Sequence, residues 1–451
     1  MKGLINAIAI GLTLAAGLSA RAIEIVITEG WDSPTRIAVV PFGGPPLRDQ
    51  PGPVAPLDLA GIVSFDLVRS GQFDALPSDN MLSLPTVAED VYFRDWRILG
   101  MDYVVIGGAE ILPDARIAVT YRLFEVASER EVISTTWTAP GAQLRDVAHW
   151  IADEIYEEIT GVRGAFATKI AYVLVRNPNA SDSSYELTVA DADGERERVV
   201  YRSGEPILSP SWSPDGRRLA YVSFETGRST IVVQELATGA RRRVAEYPGI
   251  NGAPVFSPDG TQLAMALSRD GNSEIYVKDL ETDVLRRITR RPSAIDTEPG
   301  WGPEGKSLIF TSDRAGQPQI YRIDLATSLP DRLTFQGDYN ARARLLPDGR
   351  HLVYVHRSNG VYHIAWQDLE RDVVRVLTET SLDESPSLAP NGMMMIYATQ
   401  LQGRGILAVV SVDSRVKYNL PSGLGDVREP AWSPFMTVDA QTLASRAVTA
   451  R

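Results

Sequence analysis

The sequence predicts two domains, an N-terminal α/β domain followed by an all-β six-bladed propeller. The chain has 451 residues, which is too many for one ordinary domain. Mixed strand and helix patterns end near Gly161, and beyond it one proline-containing phrase recurs every 43 to 45 residues. That period, filled with short strands, is typical of propeller blades.

The first 22 residues have the pattern of an export signal. Met1 and Lys2 form a short positive start, residues 4–18 are apolar, and Ala20 and Ala22 are small residues at a cleavage site. A membrane anchor is the alternative, but an apolar run of about 15 residues is shorter than the roughly 20 needed to span a bilayer. We therefore predict a signal peptide over 1–22 and a soluble mature chain outside the cytoplasm.

Residues 23–161 alternate between strand and helix patterns. Short apolar runs predict strands, and apolar residues on a helical period followed by glycine predict helices. The predicted elements are a strand at 37–42, a helix at 58–70, strands at 103–106 and 117–123, and a helix at 143–160. Together they predict a compact α/β domain over 23–161.

The six repeats share an apolar or aromatic residue, a proline and, in most copies, Asp-Gly or a close variant. In a blade, the apolar residue packs between neighbours, the proline ends a strand and the Gly-containing pair makes a tight turn. The prolines of the repeats are Pro214, Pro258, Pro303, Pro347, Pro390 and Pro434.

A second strand follows only five of the six repeated phrases. Its sixth copy lies upstream of all six phrases, at 170–174. We therefore predict that 169–434 closes into a ring, in which the strand ending at Trp432 completes the blade that begins near Ile170. Closure removes the open sheet edges that would otherwise aggregate. Residues 435–451 are predicted to be a C-terminal tail.

Composition and motifs exclude several classes of protein. The absence of Cys excludes disulfides and thiol catalysis, and a formal charge of −12 argues against nucleic-acid binding. The sequence has no Gly-x-Ser-x-Gly elbow, phosphate-binding glycine loop or His-Glu-x-x-His motif. His351, His356 and His363 alternate with apolar residues, so we interpret them as strand positions rather than as a metal triad. We predict no catalytic residue, metal site or cofactor; a propeller-type hydrolase and a propeller that binds calcium in its channel are the alternatives.

Acidic residues precede the innermost strand of most blades, where they crowd one opening of the channel, here called the mouth. These segments contain Glu205, Asn251, Asp296, Glu298, Asp338, Asp383, Glu384, Asp426 and Glu429. Ordinary loop acidity in an acidic protein is the alternative. Carboxylates gathered on a concave rim attract a cation or a basic protein surface. We therefore predict a docking mouth, in which Glu298→Lys or Asp383→Lys weakens partner binding without unfolding.

The start of the mature chain is a second candidate site. Residues 23–28 alternate like a strand, which ends before Pro34. Two interpretations are open: an ordinary first strand of the small domain, or a mobile strand lent to a partner by edge addition.

These features together resemble the TolB family. The resemblance is carried by the export signal and by segments at 25–33, 39–42, 251–254, 297–299, 382–392 and 430–434. Among them are Asn251-Gly252-Ala253-Pro254, Thr297-Glu298-Pro299 and the closing Pro430-Ala431-Trp432-Ser433-Pro434. Many propellers share the blade motifs, but their combination with this N-terminal domain is specific.

The resemblance implies a periplasmic, non-enzymatic and monomeric component of the Tol-Pal envelope system of Gram-negative bacteria, which supports outer-membrane integrity and constriction at division. It implies that the propeller mouth binds the lipoprotein Pal, with contacts at Asn251, Ala253, Thr297 and Glu298, and that membranes are reached only through partners. It also implies that TolA binds the N-terminal segment, which comprises Ile23, Glu24, Ile25, Val26, Ile27, Thr28, Glu29, Gly30, Trp31 and Asp32.

Overall fold

The computed structural model describes residues 25–27, 34–48, 56–178, 180, 182–420, 425–436 and 447–448. The predicted signal peptide lies outside these residues, as do Ile23, Glu24 and residues 28–32 of the predicted TolA segment. Most of the predicted tail after Phe435 lies outside them as well. Within the described ranges, no helix is both long and apolar enough to cross a membrane.

The N-terminal domain is a mixed sheet with helices on both faces. Its elements, after strand β1 (Ile25–Ile27), are β2 (Thr35–Val39), α1 (Leu59–Arg69), β3 (Phe73–Ala75), α2 (Phe93–Ile98), β4 (Tyr103–Ile111), β5 (Ile117–Glu125), β6 (Arg130–Ala139) and α3 (Leu144–Thr160). Three single 3-10 turns lie at Ser78–Asn80, Ala88–Asp90 and Gly141–Gln143. The strand order is β3-β2-β4-β5-β6, with β2 parallel to both of its neighbours and the other pairs antiparallel.

Helices α1 and α3 lie within one residue of their predicted bounds, whereas α2 was not predicted from the sequence. The Asp58 carboxylate caps α1 by accepting a hydrogen bond from the Gly61 amide at 2.9 Å. Gly71 and Gly161 adopt the left-handed conformation after α1 and α3, with φ of 75° and 74°. Helices α1 and α3 bury their apolar sides against one face of the sheet, while α2 buries Trp96 against the other.

The second domain is a ring of six blades, each built from four antiparallel strands of the propeller. Blade 1 combines β7 (Lys169–Arg176), β8 (Ser184–Asp191) and β9 (Arg198–Ser203) with the last propeller strand, β30 (Asp426–Trp432). Blade 2 has β10 (Ile207–Trp212), β11 (Arg218–Ser223), β12 (Thr230–Glu235) and β13 (Arg241–Ala245), and blade 3 has β14 (Asn251–Phe256), β15 (Gln262–Leu267), β16 (Glu274–Asp279) and β17 (Leu285–Arg287). Blade 4 has β18 (Asp296–Trp301), β19 (Ser307–Ser312), β20 (Gln319–Asp324) and β21 (Pro330–Arg332), and blade 5 has β22 (Tyr339–Leu345), β23 (His351–Ser358), β24 (Val361–Asp368) and β25 (Val373–Val376). Blade 6 has β26 (Glu384–Leu388), β27 (Met394–Leu401), β28 (Arg404–Ser411) and β29 (Val416–Asn419); β30 is Asp426–Trp432 and β31, in the C-terminal segment, is Ala447–Val448.

The ring is closed between its two ends. Strand β30 pairs antiparallel with β7, with Ala431 opposite Ala171 and Trp432 opposite Ile170. Aromatic residues of the repeats also join neighbouring blades. The Trp212 indole donates to the Ala431 carbonyl at 3.0 Å, and the Trp301 indole donates to the Val255 carbonyl at 3.1 Å. The predicted fold class, an α/β domain followed by a six-bladed propeller, is confirmed.

The two faces of the propeller are occupied differently. The turns that join the first to the second strand and the third to the fourth strand lie on one face, here called the turn face. The N-terminal domain contacts this face at blades 1 and 6, where the Asn391 side chain donates to the Arg163 carbonyl at 3.0 Å. The innermost strands begin on the opposite face, the mouth face, which therefore lies away from the N-terminal domain.

Both chain ends add a strand to the domain that is distant in sequence. Strand β1 pairs antiparallel with β29, so it is a fifth strand of blade 6 and not a strand of the small domain. The interpretation of residues 23–28 as an ordinary first strand of that domain is therefore wrong. At the other end, β31 pairs with Thr135 and Thr136 of β6 and extends the N-terminal sheet, which the sequence did not predict.

Candidate functional site

A ring of six backbone bulges surrounds the central channel. Every innermost strand shifts register against its neighbour once, and a non-glycine residue with positive φ lies at each shift. The six residues are Ser209, Ala253, Glu298, Arg342, Ser385 and Glu429. Such conformations cost on the order of 1–3 kcal/mol each and persist where the surrounding structure imposes them. All six line one channel cavity of about 330 Å³.

Arg342 ties four blades together across this ring. Its Nε donates to Glu298 of blade 4 at 2.9 Å, and its Nη1 lies 3.2 Å from the Glu429 carboxylate of blade 1. It also donates to the Ser385 hydroxyl of blade 6. The adjacent carboxylates outweigh burial and raise the pKa of Arg342 above its ordinary value. The channel is therefore crossed by an ion-pair cluster at the level of the bulges.

Three of the predicted mouth residues are fully buried and are used inside the blades. The Asn251 amide donates to the Tyr247 carbonyl at 2.7 Å, which holds the loop before β14. Asp296 pairs with Arg314 at 2.8 Å, and burial raises its pKa. Asp383 accepts a hydrogen bond from the Thr378 hydroxyl at 2.5 Å.

The other predicted mouth residues are more accessible. Glu205 is exposed, and Thr297 and Ala253 are half-buried. The Asp338 side chain is 63% exposed and pairs with Arg357 at 2.7 Å. The remaining two are Glu384, whose pKa is raised by burial, and Asp426, which pairs with Arg428 at 3.2 Å.

These pairings correct the picture of a rim of free carboxylates. Arginines that the sequence argument did not consider neutralise most of the acids, and Asp296 and Asp383 do not face solvent. The expectation for Asp383→Lys also changes, because a lysine in place of a buried, hydrogen-bonded carboxylate is expected to destabilise blade 6. Partner contacts by the ten residues stay predictions.

Sequence reasoning missed an apolar component of the mouth face. Ile250 and Ile295 directly precede innermost strands, and Leu382 lies two residues before one; the three residues are 58%, 54% and 38% exposed. Hydrogen bonds hold the first two beside neighbouring loops: the Ile250 amide donates to Ser268 Oγ at 2.7 Å, and the Ile295 amide to Asp313 Oδ1 at 2.7 Å. The sequence did contain a signal for them: each is an apolar residue immediately before an acidic or amide residue, at the same position of its repeat.

The three histidines of blade 5 do not form a metal site among the described residues. His356 lies opposite His363 on paired strands, while the His351 ring pairs with Asp348 at 2.5 Å. A group with the donor types of a metal site lies instead between the domains, at Asp66, His149 and Asp193.

That buried group is part of an ionic network joining the domains. The His149 ring on α3 lies 2.5 Å from Asp66 of α1, and its other nitrogen lies 3.8 Å from Asp193 of blade 1. Arg69 pairs with Asp66 at 2.8 Å, and Arg145 pairs with Asp193. Because arginines already neutralise these carboxylates, the group does not fit a resident metal ion.

Comparison with known families matches most of the chain. Residues 23–132 match the TolB amino-terminal domain, and residues 156–436 match the TolB beta propeller domain. The chain is also 51% identical over 439 residues to the Tol-Pal system protein TolB of Pseudomonas aeruginosa, covering 97% of this chain and 100% of the relative. It is 49% identical over 440 residues to the protein of the same name from Pseudomonas fluorescens SBW25, with the same coverage of 97% and 100%.

A solved structure with the same architecture is similar over both domains. The crystal structure of TolB from Acinetobacter baumannii has a TM-score of 0.82 and 42% identity, and the match covers 92% of this chain and 100% of that chain.

Proposed function

The chain belongs to the TolB family and is a Tol-Pal system protein, and on this premise we propose that it is a non-enzymatic periplasmic scaffold. In this proposal the mouth face binds Pal and the N-terminal segment binds TolA, so that the protein supports outer-membrane integrity and constriction at division. The observation that carries the proposal is the separation of the two candidate surfaces. The mouth face lies opposite the N-terminal domain, while β1 lies at the outer edge of blade 6.

The chemistry of the channel supports a binding role. Glu298 and Glu429, the two carboxylates in the bulge ring, are both bound to Arg342. Neither is free to act as a general base, and a general acid-base pair is what a hydrolase of this architecture would need. The same pairing disfavours calcium at this level, because the ion would have to displace the guanidinium.

The mouth face combines exposed aliphatic side chains with charged ones, which is the composition of a protein interface. Ile250, Ile295 and Leu382 supply apolar area, while Glu205 and Asp338 add accessible carboxylates around it. Apolar side chains supply binding energy when they are desolvated, and rim charges mainly set specificity and association rate. We therefore place the energetic centre of the Pal interface on the aliphatic residues.

We expect Ile295→Lys to weaken binding of the soluble domain of Pal by at least about tenfold, because a lysine ammonium cannot be buried in an apolar contact. The matched control is Leu329→Lys in the same blade. Leu329 is 72% exposed in the turn before β21, on the turn face. Isothermal titration calorimetry on both variants gives the affinities. Equal losses in both variants, or none in Ile295→Lys, would remove the mouth from the proposal.

We expect a mature chain lacking residues 23–32 to lose binding to TolA while keeping its affinity for Pal. The deletion removes β1, which pairs with β29 through only three residues, so the melting temperature should change little. Surface plasmon resonance against both partners measures the two affinities. Ile295→Lys is the reciprocal control and should keep TolA binding; retained TolA binding in the deletion would contradict the assignment.

A further inference from the structure

The channel holds a second arginine whose charge the ion-pair cluster does not neutralise. Arg344 lies two residues after Arg342 on β22 and lines the same cavity of about 330 Å³. Its Nη1 donates to the neighbouring Ala343 carbonyl, at 2.8 Å. Within the part of the chain that the structure describes, no carboxylate oxygen lies within 4.0 Å of its guanidinium, whereas both channel acids contact Arg342.

Arg344 is also unlike its counterparts in the other blades. The residues two positions after the other bulge residues are Ser211, Val255, Gly300, Ser387 and Ala431, all small or uncharged. The long side chain of Arg344 therefore extends into a channel level where the neighbouring blades present little bulk and no charge. The lining of the cavity includes prolines, aromatic rings and serines, with Ser209 and Ser211 among the serines.

Arg344 is half-buried, so its guanidinium is only partly solvated. Burial lowers the pKa of Arg344; Glu298 opposes this shift from a distance, and the charge of Arg342 adds to it. Removing a cation from water without a paired anion is unfavourable, and a charge-assisted pair with an oxyanion offsets that penalty. A volume of about 330 Å³ is within the usual range for small-ligand pockets.

We propose that this cavity binds a small oxyanion, a carboxylate or a phosphate, with its charge on Arg344 and its remaining oxygens close to the serine hydroxyls. The site lies deeper in the channel than the starts of the innermost strands and near the turn face, since its lining includes Pro214, Pro258 and Pro434 of the strand-ending turns. The cavity shares Ala253 and Glu298 with the predicted Pal contacts, but the anion is expected at its Arg344 end, and the test uses neither protein partner.

The test is titration of the mature protein with sodium succinate and, separately, with sodium phosphate at constant ionic strength. Calorimetry should give saturable binding of at least one anion, accompanied by a higher melting temperature. In Arg344→Gln the affinity should fall at least about tenfold, the size expected for loss of a charge-assisted pair. The two arms distinguish a carboxylate from a phosphate ligand. Arg350→Gln is the matched control, since Arg350 is an exposed arginine of the same blade, and its affinity should equal that of the wild type.

Two results would overturn the proposal. One is the absence of saturable binding of both anions, and the other is equal affinity in Arg344→Gln and the wild type. Arg344→Gln removes a poorly solvated charge and should keep the wild-type melting temperature. If it does not fold, crystals of the wild type soaked in sodium bromide give an independent measurement. An anomalous peak beside Arg344 supports the site, and its absence there rejects it.

Discussion

A mature chain lacking residues 430–434 is expected to unfold as a propeller rather than to form a shorter ring. These residues include the end of β30, which supplies the innermost strand of blade 1. Ala431 and Trp432 face β7 across the closure, and beyond them the Ser433 amide donates to the Lys169 carbonyl at 2.8 Å. Without this segment, the edge of β7 and the core of blade 1 are both exposed to solvent.

The loss of Trp432 by itself accounts for a large decrease in the stability of the propeller. Its side chain is 7% exposed, and its indole donates to the Thr168 hydroxyl at 2.8 Å. Removing a buried tryptophan side chain costs about 3–5 kcal/mol, and whole domains are stable by only about 5–15 kcal/mol. Loss of the surrounding strand and of ring closure adds to this, so we expect no cooperative melting of the propeller.

Circular dichroism melting and limited proteolysis check this expectation. The control is a chain ending at Val448, which keeps both β30 and β31 and should melt like the full mature protein. A deletion variant that remains soluble with a wild-type melting temperature would show that the closing strand is dispensable, and would contradict closure by β30.

The repeats made the propeller predictable because each blade repeats the same turn chemistry, and the missing sixth copy revealed the closing strand. The charges of the mouth were not predictable in the same way. Asp296 and Asp338 are neutralised by Arg314 and Arg357, which lie 18 and 19 residues further along the chain. Those pairs depend on how adjacent loops and strands face each other, which a pattern within one strand does not encode.

The sequence also did not reveal which sheet edges the strands near the two chain ends join. The alternating pattern at 23–28 indicated a strand, and the structure has one at Ile25–Ile27, but alternation does not identify the edge that accepts it. In the structure, β1 joins the outer edge of blade 6 and β31 joins the edge of the N-terminal sheet. Arg344 is likewise recognisable only by comparison with equivalent positions in other blades, once the bulges have set their register.

Asp66→Asn is expected to destabilise the protein by about 3–5 kcal/mol, the range for removing one partner of a buried ion pair. Asp66 is fully buried between the domains, where Arg69 and His149 both contact its carboxylate. Burial alone would raise the pKa of Asp66, but the charges of His149 and Arg69 outweigh it and hold that pKa below its ordinary value. Chemical denaturation measures the loss, and Asp74→Asn, an exposed acid of the same domain, is the control.

The same network predicts how stability changes with pH. Burial alone would lower the pKa of His149, but Asp66 outweighs burial and raises it above the ordinary value of 6.5. The stabilisation from protonated His149 is therefore complete below about pH 6.5 and is lost as the pH rises through the raised pKa. Asp66 and Asp193 have lowered pKa values, so the stabilisation from their ionised carboxylates is lost only as the pH falls into the acid range.

The buried acid Asp153 determines the pH range in which the free energy of unfolding reports on His149. Burial raises the pKa of Asp153 to about 7, so its unfavourable ionisation accumulates mainly below neutral pH. Above about pH 8, where Asp153 is already largely ionised, the remaining loss of stability in the wild type should come mainly from His149. The free energy of unfolding of His149→Gln should therefore fall less steeply with pH than that of the wild type above about pH 8. The matched control is His351→Gln, which alters blade 5 outside this network. Equal slopes in His149→Gln and the wild type would mean that the histidine does not carry charge across the domain interface.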